Sequence, residues 1–305
     1  MPKIPRRIPF EFIDFAANAP RNRELPKTVY KGILCELAIT HTNGAAPVIT
    51  ADSMLAVMNK LNLVINGQDH LQSVPLRHWF YQNNYDFSRP ANGSHVSLFT
   101  TPNVQGTSRL WFYMPMALTR ALQPEDTILD ARNFKNLTLE AYWGSSIGAQ
   151  ATINSGSLSF IADEYGNVDE QFQGARHEFT TSSRNLDKTG AVQIDLETRS
   201  NNQYRRLWIY TRDNTGALSD AQIDNLIVRS RSFHYDNISA LKLQRYNAFE
   251  YSRDHQTGLY VLDFTRDGKM TQRIDARDLS ELILEVNSLV PNGTIEVVKE
   301  KVIFG

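Results

Sequence analysis

The chain has 305 residues, 41% hydrophobic and 21% charged, the balance of an ordered globular protein rather than a disordered one. Lys and Arg number 32 against 33 Asp and Glu, so a net charge of -1 leaves few unpaired cations for wrapping a nucleic acid. The single cysteine, Cys35, excludes an intrachain disulfide and a Cys-rich metal site, and no run of ~18 apolar residues predicts a membrane-spanning helix.

The chain opens on a basic, proline-rich arm, MPKIPRRIPF, which lacks the apolar core of a signal peptide, so a non-secreted protein is expected. Pro2, Pro5 and Pro9 keep the arm extended. Lys3, Arg6 and Arg7 equip it to reach a neighbouring subunit or an anionic surface such as lipid headgroups; a frayed, solvated tail is the plainer alternative. Cys35 lies in an apolar strand segment and reads as a small buried hydrophobe. Asp52 to Met58 predicts a short helix, with Met54, Leu55, Met58 and Leu61 on one face, running into a strand at Leu63-Val64-Ile65. The Gly/Ser/Pro/Asn-rich stretch 89–109 reads mostly as loop.

Leu110 to Met114 is continuously apolar, a strand buried on both faces or lying at a subunit contact; Leu207 to Tyr210 reads the same way. Leu158 and Phe160 alternate with Ser157 and Ser159, Val192, Ile194 and Leu196 with Gln193, Asp195 and Glu197, and Ile295 and Val297 with Thr294 and Glu296. Each is the pattern of a strand with one buried face. Ser219 to Ile223 predicts a second short helical turn before a strand at Leu226-Ile227-Val228. The pairs Asn43-Gly44, Asn66-Gly67, Asn92-Gly93, Asp267-Gly268 and Asn292-Gly293 predict tight reversals. Many short strands between such turns suggest a sandwich or barrel.

The pattern occurs twice. Leu129 to Ala141 lines up with Ile274 to Val286, and six of the thirteen pairs are identical. In the same order along the chain, Tyr30–Leu34 faces Tyr204–Trp208, Asn62–Ile65 faces Asn225–Val228, and Asn84–Ser88 faces Ala248–Ser252. Leu110–Tyr113 then faces Leu259–Leu262, and Gly156–Phe160 faces Gly293–Val297. Matches in one order predict two tandem β domains of the same topology, 1–163 and 164–305, joined in the polar stretch 163–169. Asp130-Ala131-Arg132 and Asp275-Ala276-Arg277 each precede a strand, where Asp closes a turn and Arg pairs with a carboxylate or carbonyl.

Chemistry is sparse. None of the seven histidines forms a His-x-His pair, so the ligand motif of a metal-binding double barrel is missing. His177-Glu178 begins like a zinc-protease helix, but Thr181 stands where the second ligand belongs. Gly144-Ser145-Ser146-Ile147-Gly148 fits the Gly-x-Ser-x-Gly pattern, yet the segment after it is too short and polar for the helix that chemistry needs. Asp213-Asn214-Thr215-Gly216 reads as a turn rather than a calcium loop, and the four Asn-x-Ser/Thr sequences as chance. No cofactor and no metal are expected.

Four stretches carry a resemblance to a known family: Leu25 to Tyr30, Leu61 to Gly67, Leu129 to Gly144 with its echo at Ile274 to Val286, and Leu262 to Gly268. The chain resembles the double jelly-roll major capsid proteins of tailless, membrane-containing icosahedral bacteriophages, the corticovirus and finnlakevirus type. The resemblance implies an all-β fold of two tandem jelly-roll β-sandwiches, each of two four-stranded sheets. It implies a homotrimer of pseudo-hexagonal outline that tiles a virion shell, is made in the host cytoplasm, and is not an enzyme. Neighbouring capsomers, penton or minor capsid proteins and an internal viral membrane are the implied partners, without specific nucleic-acid recognition. Lys3, Arg6 and Arg7 would lie at the base, near the membrane. Trp111 and Trp208 would lie buried in the sandwiches or at their contacts. Two other readings remain: a carbohydrate- or receptor-binding sandwich using Trp79, Phe80 and Tyr85 beside Asn83 and Asn84, and an enzyme on a duplicated barrel.

Overall fold

The computed structural model describes residues 4–10, 12–87, 96–122, 127–166, 175–198 and 202–303. The chain divides into two compact units, one of Met1–Thr119 with Pro124–Gly174, the other of Arg120–Gln123 with Ala175–Gly305.

Unit 1 holds β1 (Ile4–Pro9), β2 (Ile13–Asp14), β3 (Pro20–Glu24), β4 (Val29–Val48), α1 (Ala51–Ala56), β5 (Met58–Ile65) and β6 (Asp69–Val74). It continues with α2 (Leu76–Asp86), β7 (Val96–Ser97), β8 (Gln105–Pro115), β9 (Leu129–Asp130), β10 (Leu137–Trp143) and β11 (Ala149–Gly166). Its first sheet runs β1-β11-β4-β8-β7, with β2 on β11 and β9 on β4; in its second, β6-β5-β10-β3 lie side by side. Unit 2 holds β12 (Arg176–Leu186), β13 (Gly190–Asp195), β14 (Asn202–Arg212), β15 (Ile223–Ser230) and β16 (His234–Ser239). After these come α3 (Ala240–Glu250), β17 (Leu259–Asp263), β18 (Ile274–Asp275), β19 (Leu282–Ser288) and β20 (Gly293–Ile303). Here β17-β14-β20-β12 lie side by side with β18 on β14, and the second sheet runs β13-β19-β15-β16.

The wiring of the two units is the same. With each unit's principal strands numbered in chain order, one sheet reads first-eighth-third-sixth and the other second-seventh-fourth-fifth, all antiparallel. This is the jelly roll, present twice. Even an irregularity is shared. The ladder of β4 with β11 skips Lys31, and that of β14 with β20 skips Arg205. Asp163 opposite Gly32 thus corresponds to Glu300 opposite Arg206, and Ile161 opposite Leu34 to Val298 opposite Trp208.

Alternation builds the cores. On β4, Ile33, Cys35 and Leu37 are buried, and Leu110, Phe112 and Met114 on β8 and Leu158 and Phe160 on β11 match them. In unit 2, Leu207 and Ile209, Tyr260 and Leu262, and Ile295 and Val297 pack in one cluster with Ile194, Leu226, Val228, Leu284 and Val286 of the opposite sheet. Burying each such side chain contributes ~1.5–3 kcal/mol.

Several sequence expectations need correction. The strand match of Leu110–Tyr113 with Leu259–Leu262 is one residue out of register: Tyr113 pairs with Leu34 whereas Val261 pairs with Trp208, so Tyr113 corresponds to Val261. Asn43-Gly44 lies inside β4 rather than at a reversal, and Asn43 is buried with its amide donating to the Thr101 carbonyl at 3.0 Å. Residues 219–222 form turns, not a helix. The predicted short helix is α1, capped by Thr50, whose hydroxyl accepts from the Ser53 N–H at 3.2 Å. Asn66 and Gly67 both have positive φ, 54° and 74°, as the tight turn between β5 and β6 requires, where the Gln68 N–H donates to the Ile65 carbonyl at 3.3 Å. Asn92-Gly93 lies outside the described residues.

Candidate functional site

None of the candidate nucleophiles is set up for catalysis. Ser146 sits between β10 and β11 with no helix after it, so the strand-turn-helix elbow is missing. Cys35 is fully buried and burial pushes its thiol pKa up, the reverse of an activated thiolate. His177 and Thr181 lie on strand β12, not a helix. Asp213 is spent on its own turn, its Oδ1 accepting from the Thr215 N–H at 2.9 Å and the Ala217 N–H at 3.1 Å. Among the described residues no group of three or more His, Cys, Asp or Glu side chains is placed to hold a metal ion, and no helix is long and apolar enough to cross a membrane.

His177 belongs instead to a buried polar cluster of unit 2, which the sequence did not disclose. The Glu300 carboxylate accepts from His177 Nε2 at 2.9 Å, Arg205 Nη1 at 2.6 Å, Arg206 Nε at 2.6 Å and Nη2 at 3.1 Å, and Trp208 Nε1 at 3.0 Å. The Arg206 guanidinium also lies 4.8 Å from the Trp208 ring centre. Three adjacent strands, β12, β20 and β14, are thereby tied through one anion. Burial alone would raise the Glu300 pKa, but Arg206 and Arg205 hold it well below the usual carboxylate range. Burial lowers the His177 pKa, Glu300 opposes that and the two arginines add to it, so the ring is neutral and donates from Nε2.

The Asp-x-Arg turns before β10 and β19 repeat atom for atom. Asp130 Oδ1 accepts from the Arg132 N–H at 3.1 Å and from Nε at 2.8 Å. Asp275 Oδ1 does so from Arg277 at 3.1 and 2.9 Å. Each carboxylate closes a turn while a bidentate arginine neutralises it.

The arm residues divide. Lys3 lies outside the described residues. Arg6 and Arg7 lie on β1, the edge strand that pairs antiparallel with β11 from Ile4 opposite Gly166 to Pro9 opposite Ile161. Both are exposed, and Arg6 makes a 2.9 Å ion pair with Glu164. Pro5 and Pro9 fit there because an edge strand leaves half its N–H groups unpaired.

The sheet containing β1 turns a second face away from its core. In register across it lie Pro9, Ile161, Leu34 and Tyr113. Leu34 is 39% and Ile161 36% exposed. Tyr113 lies over Gly32, whose missing Cβ would stand 2.1 Å from the Tyr113 hydroxyl, and that hydroxyl donates to Asp163 Oδ2 at 3.2 Å. Trp111 is half-buried on the same face, opposite Glu36, which pairs with Arg109. Trp208, by contrast, is fully buried. The proposed carbohydrate platform is not a surface: Trp79, Phe80, Asn83, Asn84 and Tyr85 lie on α2 and all are buried.

Comparison with known proteins places the fold among viral coats. A family model described as the viral coat protein P2 C-terminal domain matches residues 177–302. The atomic structure of Sulfolobus Turreted Icosahedral Virus superposes with a TM-score of 0.79 at 13% identity, covering 98% of this chain and 91% of that one. The major capsid protein P2 from Bacteriophage PM2 gives 0.69 at 12%, covering 99% and 98%, and the PBCV-1 virus capsid gives 0.67 at 10%, covering 99% and 94%. No curated protein matches the chain. At these identities the likeness is one of fold: a double jelly-roll viral major capsid protein fold.

Proposed function

We propose that the chain is a major capsid subunit. Three copies assemble into a pseudo-hexagonal capsomer, and capsomers tile an icosahedral virion shell over an internal membrane. One observation carries the reading: a single chain supplies two jelly rolls with the same strand order and the same bulge. Three such chains present six alike sandwiches around a threefold axis, which is how a trimer acquires a nearly hexagonal rim. Solved coats of several icosahedral viruses share the fold over nearly their whole length. The residues that suggested catalysis are structural, so the work is mechanical. The two sandwiches are the arm with the first jelly roll, 1–163 in the repeat and carried on to Gly166 by β11, and the second jelly roll within 164–305. Arg6 and Arg7 are the exposed cations of β1 and serve, with Lys3, as its contact with lipid headgroups or a neighbouring subunit. Penton or minor capsid proteins would fill the vertices.

Light scattering on purified protein tests the core of this. A particle of about three times the 34.7 kDa chain mass, or shells seen by electron microscopy, is expected. A stable monomer at every concentration would remove the coat assignment.

A further inference from the structure

The first turn of unit 2 carries the chain from one sheet into the other. Strand β12 pairs with β20 and β13 with β19, so the two strands flank the turn without pairing with each other. A cavity of about 890 Å³ is lined by residues of both. Gly190, at a φ of 105°, leads the chain into β13, and a Cβ there would meet nothing within 4 Å. Five exposed polar side chains line the cavity: Ser183, Arg184, Asn185, Asp187 and Lys188. None of them has a hydrogen-bond or ion-pair partner among the described residues. Elsewhere in unit 2, Arg229, Arg266 and Arg277 are each tied to a carboxylate. The Ser182 hydroxyl, on the same face of β12 as Arg184, is also buried without a partner among the described residues. The backbone adds to this. The Leu196 N–H donates to the Leu282 carbonyl at 2.9 Å, so by alternation the even residues of β13 bond to β19. Ala191 and Gln193, which both line the cavity, turn their N–H and C=O groups the other way, where no strand meets them among the described residues.

We propose that this cleft between β12 and β13 binds a saccharide that carries a carboxylate. Its lining selects that class. Two cations, Arg184 and Lys188, stand against one anion, Asp187, which leaves one positive charge for one carboxylate. The Asp187 carboxylate works against ligands with several negative charges, such as nucleic acid or phosphorylated headgroups. Ser183, Asn185, Asp187 and Gln193 offer donors and acceptors together, as neighbouring sugar hydroxyls require, since each hydroxyl donates once and accepts twice. The outward N–H and C=O groups of Ala191 and Gln193 extend the same supply. No aromatic ring lines the cavity, so a nucleobase finds no stacking partner. Ala191 and Val192 instead give a small apolar wall for the C–H side of a sugar ring. The volume falls within the range of small-ligand sites, roughly 300–1,000 Å³. The cleft belongs to unit 2 alone, so the inference goes beyond the coat reading without resting on it.

Saturation-transfer NMR on the full-length chain tests this. The acidic probes are 3′-sialyllactose and trigalacturonic acid; lactose is the neutral control and inorganic phosphate the plain anion. At least one acidic probe is expected to bind saturably, with lactose and phosphate each about tenfold weaker or more. Arg184→Gln with Lys188→Gln is expected to lower that affinity about tenfold or more, with far-UV circular dichroism unchanged. Lys242→Gln with Arg245→Gln, two exposed cations of α3, removes the same charge elsewhere and is expected to leave binding unchanged. If the Arg184/Lys188 variant does not fold, Asn185→Ala replaces it and should weaken binding several-fold. Failure of both acidic probes to bind overturns the inference. So does binding of lactose or phosphate as tight as theirs, or undiminished affinity in the folded cleft variant. Light scattering reads the assembly state separately, so a monomeric chain would remove the coat assignment and leave this test in force.

Discussion

The Asn247 side chain brackets the backbone of Val261: its Nδ2 donates to the Val261 carbonyl at 2.8 Å and its Oδ1 accepts from the Val261 N–H at 2.9 Å. Asn83 does the same for Tyr113, at 2.8 and 2.6 Å. Val261 lies on β17, the end strand of its row, whose outward N–H and C=O groups have no strand to meet among the described residues. The amide stands in for the missing strand and fastens the helix before each sixth strand to that strand's edge.

Asn247→Ala is therefore expected to leave two buried backbone groups unsatisfied, a loss of about 2–4 kcal/mol. Asn83→Ala should cost a similar amount in unit 1. Urea denaturation of each variant would show this as a lower midpoint at unchanged slope. Midpoints within error of wild type would mean the clamps contribute nothing.

How far the amino-acid sequence discloses this fold depends on the residue. Tyr30 with Tyr204 and Asp130 with Asp275 are correctly matched because polar marks, a tyrosine or an Asp-x-Arg turn, fix the register. Leu110–Tyr113 carries no such mark. Four apolar residues in a row fit either face, so the match slips by one, and a slip of one exchanges inside for outside. Helix α2 is hidden for a related reason: nine of its residues are buried, so no polar face gives it a helical period. The Glu300 cluster is illegible because its members come from three strands and meet only when the sheet is assembled. The outward row of unit 1 is half legible: Trp111 stands within a run suited to a subunit contact, but Leu34 and Ile161 become neighbours only through the β4 and β11 ladder.

The Glu300 cluster makes unit 2 sensitive to acid in a defined window. His177 is neutral in the fold with its pKa lowered, and its Nδ1 is buried without a partner among the described residues. The charged groups facing it are Glu300 from β20 and Arg205 and Arg206 from β14. A lowered histidine pKa means the unfolded chain binds the proton first. Stability is thus level above pH ~6.5 and falls below it, by up to about 1.4 kcal/mol per pH unit. Glu300 adds a second loss only below its unfolded pKa near 4.5. Thermal melts from pH 8 to 5 should show the first loss in wild type and its near absence in His177→Gln. A flat wild-type profile would rule it out.

Removing the anion is harsher than removing the histidine. Glu300→Ala takes the Glu300 carboxylate from two buried arginines, Arg205 and Arg206, and breaking a buried pair in this way costs about 3–5 kcal/mol. Soluble yield and midpoint should both drop well below those of His177→Gln. Equal midpoints for the two variants would show that the arginines are solvated.

Arg6 and Arg7 offer a separable test of the basic strand. Glu164, only 4% exposed, loses its charged partner when Arg6 is replaced, so Arg6→Gln with Arg7→Gln should cost about 1–3 kcal/mol of stability. Co-sedimentation with vesicles rich in anionic lipid should fall for this variant at low salt and be equal to wild type at high salt. Equal binding at low salt would assign these cations to the sheet edge alone.

Gly258 and Gly67 both have positive φ, 66° and 74°, but differ in what surrounds them. A Cβ on Gly67 would meet nothing within 4 Å, so Gly67→Ala should cost only the left-handed backbone, about 1 kcal/mol. A Cβ on Gly258 would stand 2.7 Å from the Ser219 nitrogen and from the Thr211 oxygen, both backbone atoms. Those atoms are bonded to each other at 3.0 Å, and the Gly258 carbonyl accepts from the Thr211 N–H at 2.8 Å, so neither side can yield without opening the other. Gly258→Ala should therefore cost the backbone term plus about 1–3 kcal/mol of overpacking. Paired melts of the two variants measure the difference directly, and equal losses would mean that the loop before β17 shifts freely to admit a methyl group.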